Sequence, residues 1–232
     1  MTAKLPKRVP LRLPDYDYSQ SGAYFVTICV RARKSLFGVV VNEEMQLNNY
    51  GRIVADCWQD LKDHFEPIEL DAFVIMPNHV HGIIMITGEE NSPALNATGI
   101  AASETREGGE TPEGGETPPL RPTLGQIVGY FKFQSAKKIN GIRGKQGERV
   151  WQRNYYEHVI RNEKSLDRIR EYIDSNPVRW DLDRENPLAK GKDDFDRWLA
   201  AFPKPEVRKY KSGRGNPTGG ETPGRGNPAP TG

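Results

Sequence analysis

Two histidines separated by a single residue, His79 and His81, are the side chains of this sequence best suited to metal chemistry. They lie in the stretch PNHVH at 77–81, within a run of residues that favours a β-strand. Because side chains alternate between the two faces of a strand, both imidazoles are predicted to project from the same face and to form half of a divalent-metal site. Imidazole nitrogen is a good ligand for Mn, Zn, Co or Ni, whereas Mg prefers oxygen ligands.

Two histidines on a strand can also be satisfied by backbone groups or water, and the spacing taken alone favours that structural role. The chain contains 4 histidines, however, so half of them share this predicted strand face. The other two, His64 and His158, are not assigned to the metal site. His64 ends a predicted helix, and His158 follows two tyrosines and either packs in the fold or contacts a partner.

Tyr172, in the last predicted helix, is the candidate catalytic nucleophile. It lies on the border of the apolar stripe of that helix, and Asn176 lies one turn further on the same side. A tyrosine at such a border is more often a packed ring with a solvated hydroxyl. A phenol, with an ordinary pKa of about 10, can nevertheless attack phosphate near neutral pH if a cation neutralises the phosphate oxygens. Asn176 could supply an amide oxygen as a third metal ligand.

Hydrophobic spacing predicts the elements that must position these residues. The predicted strands span residues 24–30, 37–41, 68–76, 79–87 and 150–156. The predicted helices span residues 49–65, 123–139 and 162–176, and Pro177 ends the last one. The order β, α, β, β, α, β, followed by a helix, predicts an α+β fold: a ferredoxin-like, split βαβ sandwich with an antiparallel sheet and an added C-terminal catalytic helix. The histidine strand can lie centrally in that sheet.

The overall composition is that of a protein outside the membrane. The chain has 232 residues and a net charge of +2, which allows one domain of ordinary size with extensions. No apolar run approaches the roughly 20 residues of a membrane span, and the basic N-terminus lacks the apolar region of a secretory signal. We therefore predict a cytoplasmic protein. Cys29 and Cys57 are expected to be reduced, packed thiols.

Composition also divides the chain into five segments. They are a basic N-terminal arm (1–20), the first part of the domain (21–87), an acidic insertion (88–120), the second part of the domain (121–203) and a low-complexity tail (204–232). The pentapeptide GGETP occurs at 108–112, 114–118 and 219–223. Because such polar segments bury too little apolar surface to offset the entropy of ordering, the insertion and the tail are predicted to be disordered. We interpret the repeats as in-frame expansions without a structural role.

The second part of the domain is basic and predicts a polyanionic partner. Residues 121–180 contain 13 Lys and Arg against 6 Asp and Glu, although a solvated helix face has the same composition. The candidate DNA-binding side chains are Lys132, Lys137, Lys138, Arg143, Lys145, Arg149, Arg153 and Tyr155. Other aromatic side chains could stack on exposed bases, but for Phe131 and Trp151 a place in the core is the stronger alternative.

In four segments, the sequence resembles the REP-associated tyrosine transposases, which are bacterial relatives of the HUH single-tyrosine transposases. The segments are LPDYDYS at 13–19, GAYFVT at 22–27, FVIMPNHVH at 73–81 and YIDSNPV at 172–178. The resemblance implies that His79 and His81 are the HUH ligands of a divalent metal, Mg or Mn. It also implies that Tyr172 is the attacking residue and that Asn176 replaces the polar ligand that the family carries on this helix. The long acidic insertion departs from the compact family pattern.

The reaction implied by this resemblance is metal-assisted transesterification on single-stranded DNA. Tyr172 would form a 5′-phosphotyrosine and release a 3′-hydroxyl that can rejoin by the reverse attack. The implied partner is hairpin-forming repeat DNA of the bacterial nucleoid, and both a monomer and a homodimer remain open.

Two other classes of function also stay open. One is a non-catalytic nucleic-acid-binding module built on a four-stranded sheet. The other is a metal-dependent nuclease in which an activated water attacks the phosphodiester.

Overall fold

The computed structural model describes residues 16–88 and 121–201. The strands are β1 (Gly22–Cys29), β2 (Gly38–Val41), β3 (Glu44–Leu47), β4 (Ile68–Met76), β5 (His79–Ile86) and β6 (Tyr156–Ile160). The helices are α1 (Asn49–Gln59), α2 (Leu61–His64), α3 (Leu124–Arg143), α4 (Glu163–Ser175) and α5 (Asp194–Ala200). The predictions made for residues 1–15, 89–120 and 202–232 lie outside the described residues.

Four strands form one antiparallel sheet in the order β4-β5-β1-β6. A tight turn joins β4 to β5, whereas helices lie on the connections from β1 to β4 and from β5 to β6, which is the arrangement of a split βαβ sandwich. The predicted ferredoxin-like α+β fold is therefore confirmed. The histidine strand, β5, pairs with β1 on one side and β4 on the other, so it lies inside the sheet as predicted.

Helices cover both faces of this sheet. On one face, α1 and α3 pack over a core that includes Tyr24, Trp58 and Phe131. On the opposite face, α4 and α5 pack over Phe25 and Ile83. Both cysteines are free thiols, and no helix among the described residues is long and apolar enough to cross a membrane.

The strand predicted at 150–156 is wrong. Trp151 makes a single isolated bridge to Val30, and the regular strand β6 begins only at Tyr156. The intervening backbone is held against α3 instead, because the Lys132 ammonium donates to the carbonyls of residues 152 and 153 at 2.7 and 3.0 Å. The hairpin strand β3 and the short helix α5 were not predicted.

The close approach of α1 to β5 depends on a glycine. A Cβ at Gly82 would lie 2.5 Å from Cζ2 of Trp58 and 3.1 Å from Cδ2 of Phe73. These two rings are stacked with centroids 4.3 Å apart, and Trp58 is buried, so the added methyl group would have to displace packed atoms. We expect Gly82→Ala to lower the free energy of unfolding by about 1–3 kcal/mol, measured by urea denaturation.

A matched control for this substitution lies on α3. A Cβ at Gly129 meets no atom within 4 Å, so Gly129→Ala should be neutral or should stabilise the protein by up to about 1 kcal/mol through helix propensity. Equal stabilities of Gly82→Ala and the wild type would contradict the tight packing of α1 on the sheet.

Candidate active site

The two histidines of β5 converge on one point above the sheet. Their Nε2 atoms lie 2.9 Å apart, and both side chains are buried. Asn78 Oδ1 lies 2.8 Å from Nδ1 of His79, and Thr27 Oγ1 lies 2.9 Å from Nδ1 of His81. When each Nδ1–H is donated to these oxygens, the lone pairs of the two Nε2 atoms face each other, and a proton or a cation between them relieves the repulsion.

Asp183 joins the histidine pair, although sequence reasoning did not select it. Its Oδ2 lies 3.6 Å from Nε2 of His79 and 3.8 Å from Nε2 of His81. Asp183 follows the 3₁₀ turn Trp180–Leu182, which returns the chain to the sheet after α4. The backbone N–H of Glu185 donates to its Oδ1 at 2.6 Å and thereby orients the carboxylate. No spacing motif connects this residue with the histidines, so the sequence contained no signal for it.

Tyr172 and Asn176 reach the same cluster from the C-terminal half of α4. The hydroxyl of Tyr172 lies 3.3 Å from Nε2 of His81 and donates to Oδ2 of Asp183 at 3.4 Å. The Asn176 amide nitrogen donates to the same carboxylate oxygen at 2.9 Å. The Asn176 amide oxygen is buried, with no hydrogen-bond partner among the described residues. The structure thus brings the phenol within reach of the paired imidazoles.

Packing holds Tyr172 in place and encloses the cluster. The ring of Phe195, on α5, stacks on the Tyr172 ring with centroids 3.7 Å apart. Arg170 ties α4 to β4 through two hydrogen bonds to the carboxylate of Asp71, at 2.7 and 3.0 Å. Tyr172 is 3% exposed, and His79, His81 and Asp183 are also buried. The site is therefore closed by α5 and by the chain that follows α4.

Burial and neighbouring polar groups shift the pKa values of Tyr172, His79 and Asp183. Burial raises the pKa of Tyr172 well above the ordinary phenol value, and the neighbouring Asp183 carboxylate adds to the shift. It lowers the pKa of His79 far below its ordinary value, so this imidazole is neutral, as a metal ligand must be. Burial also acts to raise the pKa of Asp183, but interactions with His81 and Asn176 outweigh it and hold the pKa well below the usual carboxylate range.

The chemistry of these donors fits a divalent cation. One ligand atom from each of His79, His81 and Asp183 lies within 4.8 Å of the other two. Two imidazoles and a carboxylate form a donor set typical of transition-metal sites. The unpartnered amide oxygen of Asn176 is a further acceptor beside this set. The cluster can therefore bind a metal ion.

The candidate DNA-binding cations divide into two groups. The side chains of the first group already have partners within the protein. Lys132 donates hydrogen bonds to two backbone carbonyls, Lys138 forms an ion pair with Asp60, and both Arg143 and Lys145 form ion pairs with Glu148. The second group consists of Lys137, Arg149 and Arg153, which are exposed and form no ion pair within residues 16–88 and 121–201. The second group is therefore the better placed to contact phosphate.

The candidate aromatic residues also differ in exposure. Phe131 and Trp151 are buried in the core, as the structural alternative predicted. Tyr155 is partly buried against that core, whereas Phe133 is 63% exposed. His64 stacks on Tyr130 at the surface and His158 lies on β6, and neither belongs to the metal-binding cluster.

Comparisons with known proteins identify two relatives in Haemophilus influenzae. The chain is 40% identical over 190 residues to an uncharacterised protein, in a match covering 78% of this chain and 94% of the relative. It is 24% identical over 164 residues to a protein provisionally named as a REP-associated tyrosine transposase, covering 70% of this chain and 74% of that protein. No protein-family model matches the chain.

A solved structure of a REP-associated tyrosine transposase bound to a REP hairpin is also similar to the chain. It shares 20% identity and a TM-score of 0.44, and the match covers 73% of each chain.

The sheet carries the paired histidines on its inner strand β5, and Tyr172 lies on α4, the helix that follows β6. In four sequence segments, and through the named relative at 24% identity, the chain is similar to the REP-associated tyrosine transposases.

Proposed function

We propose that this protein cleaves and rejoins single-stranded, hairpin-forming repeat DNA through a covalent bond to Tyr172. The observation that most directly supports this proposal is the 3.3 Å distance between the Tyr172 hydroxyl and Nε2 of His81. This distance supports the proposal because it sets the phenol beside the imidazoles that would hold a metal. The similarity to the REP-associated tyrosine transposases supports repeat DNA as the substrate, and with such a substrate the protein would act at the nucleoid in the cytoplasm.

Transesterification at Tyr172 needs no external energy source, because one phosphoester bond replaces another. The phenol oxygen attacks the phosphorus, the bond from phosphorus to the 3′-oxygen breaks, and the DNA keeps a free 3′-hydroxyl while its 5′-phosphate is esterified to Tyr172. An acceptor for the phenol proton lies within reach, the carboxylate of Asp183, which has lone pairs beyond the one that a metal would take. Because the ester bond is conserved, the 3′-hydroxyl can attack in reverse and restore the strand.

His79, His81 and Asp183 would hold a divalent cation, Mn or Mg, with Asn176 as a further ligand. The two nitrogen donors favour Mn over Mg. When bound, the cation would supply positive charge that neutralises the phosphate oxygens. Thr27 and Asn78 keep the imidazoles oriented by occupying their Nδ1 atoms.

Entry of the substrate requires a movement of α5. Phe195 covers the Tyr172 ring, and the cluster beneath is buried. A phosphodiester therefore reaches the hydroxyl only after α5 has moved away from α4. The accompanying exposure to water would also lower the pKa of Tyr172 towards its ordinary value, because burial is the main cause of its shift.

The covalent bond provides the decisive test. Labelled single-stranded hairpin DNA is incubated with the protein and Mn or Mg, and the products are separated on a denaturing gel. We expect label at the position of the protein and a free 3′-hydroxyl fragment. A binding module would leave the DNA intact, and a hydrolase would release a free 5′-phosphate without an adduct; either result would refute the proposal.

A further inference from the structure

A groove of about 480 Å³ lies between the C-terminal half of α3 and the loop that follows it. Its lining includes Phe133, Lys137, Asn140, Gly141, Arg149 and Trp151. None of these residues belongs to the metal-binding cluster, so the groove is a separate feature of the surface. Its volume lies in the range of small-ligand sites and is sufficient for a nucleotide.

The groove presents an exposed aromatic ring beside an apolar wall. Phe133 is 63% exposed, while Trp151 is buried and contributes to the wall. Exposing the apolar ring of a phenylalanine to water is unfavourable, whereas stacking a base on this ring is favourable. This feature indicates a flat, apolar ligand.

The charge of the groove is positive. Lys137 and Arg149 are exposed and form no ion pair among the residues that the structure describes. The carboxylate of Glu148 also lines the groove, but Arg143 and Lys145 pair with it at 3.3 and 3.4 Å and compensate its charge. Free cations beside an aromatic ring suit a base attached to a phosphate backbone.

Asn140 provides a polar group at the same place. The side chain is 5% exposed, and its amide nitrogen donates to the backbone carbonyl of Glu148 at 2.7 Å. Its amide oxygen is buried and accepts no hydrogen bond from the described residues. A buried acceptor without a donor is costly, and the exocyclic amino group of a base is a donor of suitable size.

Backbone contacts connect the groove to the candidate active site. Trp151, in the groove wall, pairs with Val30 just beyond the end of β1. The N–H of Val30 donates to the carbonyl of Asn78 at 2.8 Å, and the Asn78 side chain in turn contacts His79. One strand of DNA can therefore approach the groove and the cluster from the same end of the sheet.

We propose that this groove, the α3 groove, binds an unpaired nucleotide of single-stranded DNA, with its base on Phe133 and its phosphates near Lys137 and Arg149. The choice of DNA rests on the proposed function. Binding in the α3 groove itself needs neither a metal nor Tyr172.

Two glycines of α3 supply a matched test. A Cβ at Gly141 or at Gly129 would meet no atom within 4 Å, but of these two glycines only Gly141 lines the groove. Gly141→Phe should fill the groove, whereas Gly129→Phe makes the same change in the same helix outside it. The probe is a fluorescein-labelled, unstructured single-stranded oligonucleotide of about ten nucleotides, followed by anisotropy in EDTA at low salt, because stacking and phosphate contacts are strongest there.

We expect Gly141→Phe and Phe133→Ala each to weaken binding by about 5- to 150-fold, the range for the loss of one stacked base. Gly129→Phe should bind within about twofold of the wild type, since it leaves the groove open. If Gly141→Phe fails to fold by circular dichroism, Phe133→Ala decides the result, because this exposed side chain can be truncated without leaving a core cavity.

The groove proposal and the proposed function fail in different ways. Wild-type affinity in both groove variants, or no binding of the oligonucleotide by the wild type, would overturn the groove proposal even if the covalent adduct forms. Loss of affinity in the groove variants together with no adduct in the wild type would instead support the groove and refute transesterification.

Discussion

Tyr172→Phe should abolish the covalent protein–DNA adduct and lower the cleavage rate by about 10⁴-fold or more, since the substitution removes the attacking oxygen. The ring that stacks on Phe195 is retained. The lost hydrogen bonds are long, at 3.3 and 3.4 Å, so the free energy of unfolding should change by less than about 1 kcal/mol. Cleavage is measured on denaturing gels, stability by thermal unfolding, and hairpin affinity by anisotropy, which should remain at the wild-type value.

The control for this prediction is Tyr24→Phe, the same chemical change on the opposite face of the sheet. The Tyr24 hydroxyl donates to the carbonyl of Gln20 at 2.8 Å and lies in the core formed with α1 and α3. Tyr24→Phe should therefore form the adduct at the wild-type rate. An adduct formed by Tyr172→Phe would show that another side chain is the nucleophile.

Asp183→Asn should weaken Mn binding by about 100-fold or more and reduce cleavage to a similar extent. The substitution preserves the size of the side chain but removes the only charge proposed for the ligand set, and its replacement is a weaker metal ligand. Mn affinity is measured by isothermal titration calorimetry on protein freed of metal by chelation. This readout does not depend on DNA or on cleavage.

Asp181→Asn is the matched control, because it makes the same change two residues away. Asp181 is exposed and pairs with Lys190 at 2.6 Å. Its variant should bind Mn as the wild type does. If Asp183→Asn also kept wild-type affinity, Asp183 would not be a ligand, and Asn176 would regain the role of third ligand that the sequence predicted.

Properties encoded over short stretches of chain were predictable. The strand at 68–76 has the predicted bounds, and β5 differs by one residue at its end. The projection of His79 and His81 from the same face of β5 follows from the alternation of side chains along a strand, which depends only on local backbone geometry. The spacing of apolar residues likewise placed Tyr172 and Asn176 on one side of α4, and both reach the cluster.

Features that depend on contacts distant in sequence were not predictable. Residues 150–156 have the composition of a strand, but the Lys132 ammonium binds carbonyl groups there and keeps most of this stretch out of the sheet. Basic composition likewise did not separate Lys138, which forms an ion pair, from the exposed Lys137, because pairing depends on the position of Asp60 between α1 and α2.

The sequence by itself determined the order of the elements, the common face of the two histidines and the helix that carries Tyr172. These follow from alternation and helical periodicity, which act within a few neighbouring residues. Only the tertiary structure decided that Asp183 joins the two histidines and that Phe195 covers the Tyr172 ring beside them. Both residues reach the site through turns after α4, and their position depends on how that chain packs on the finished sheet.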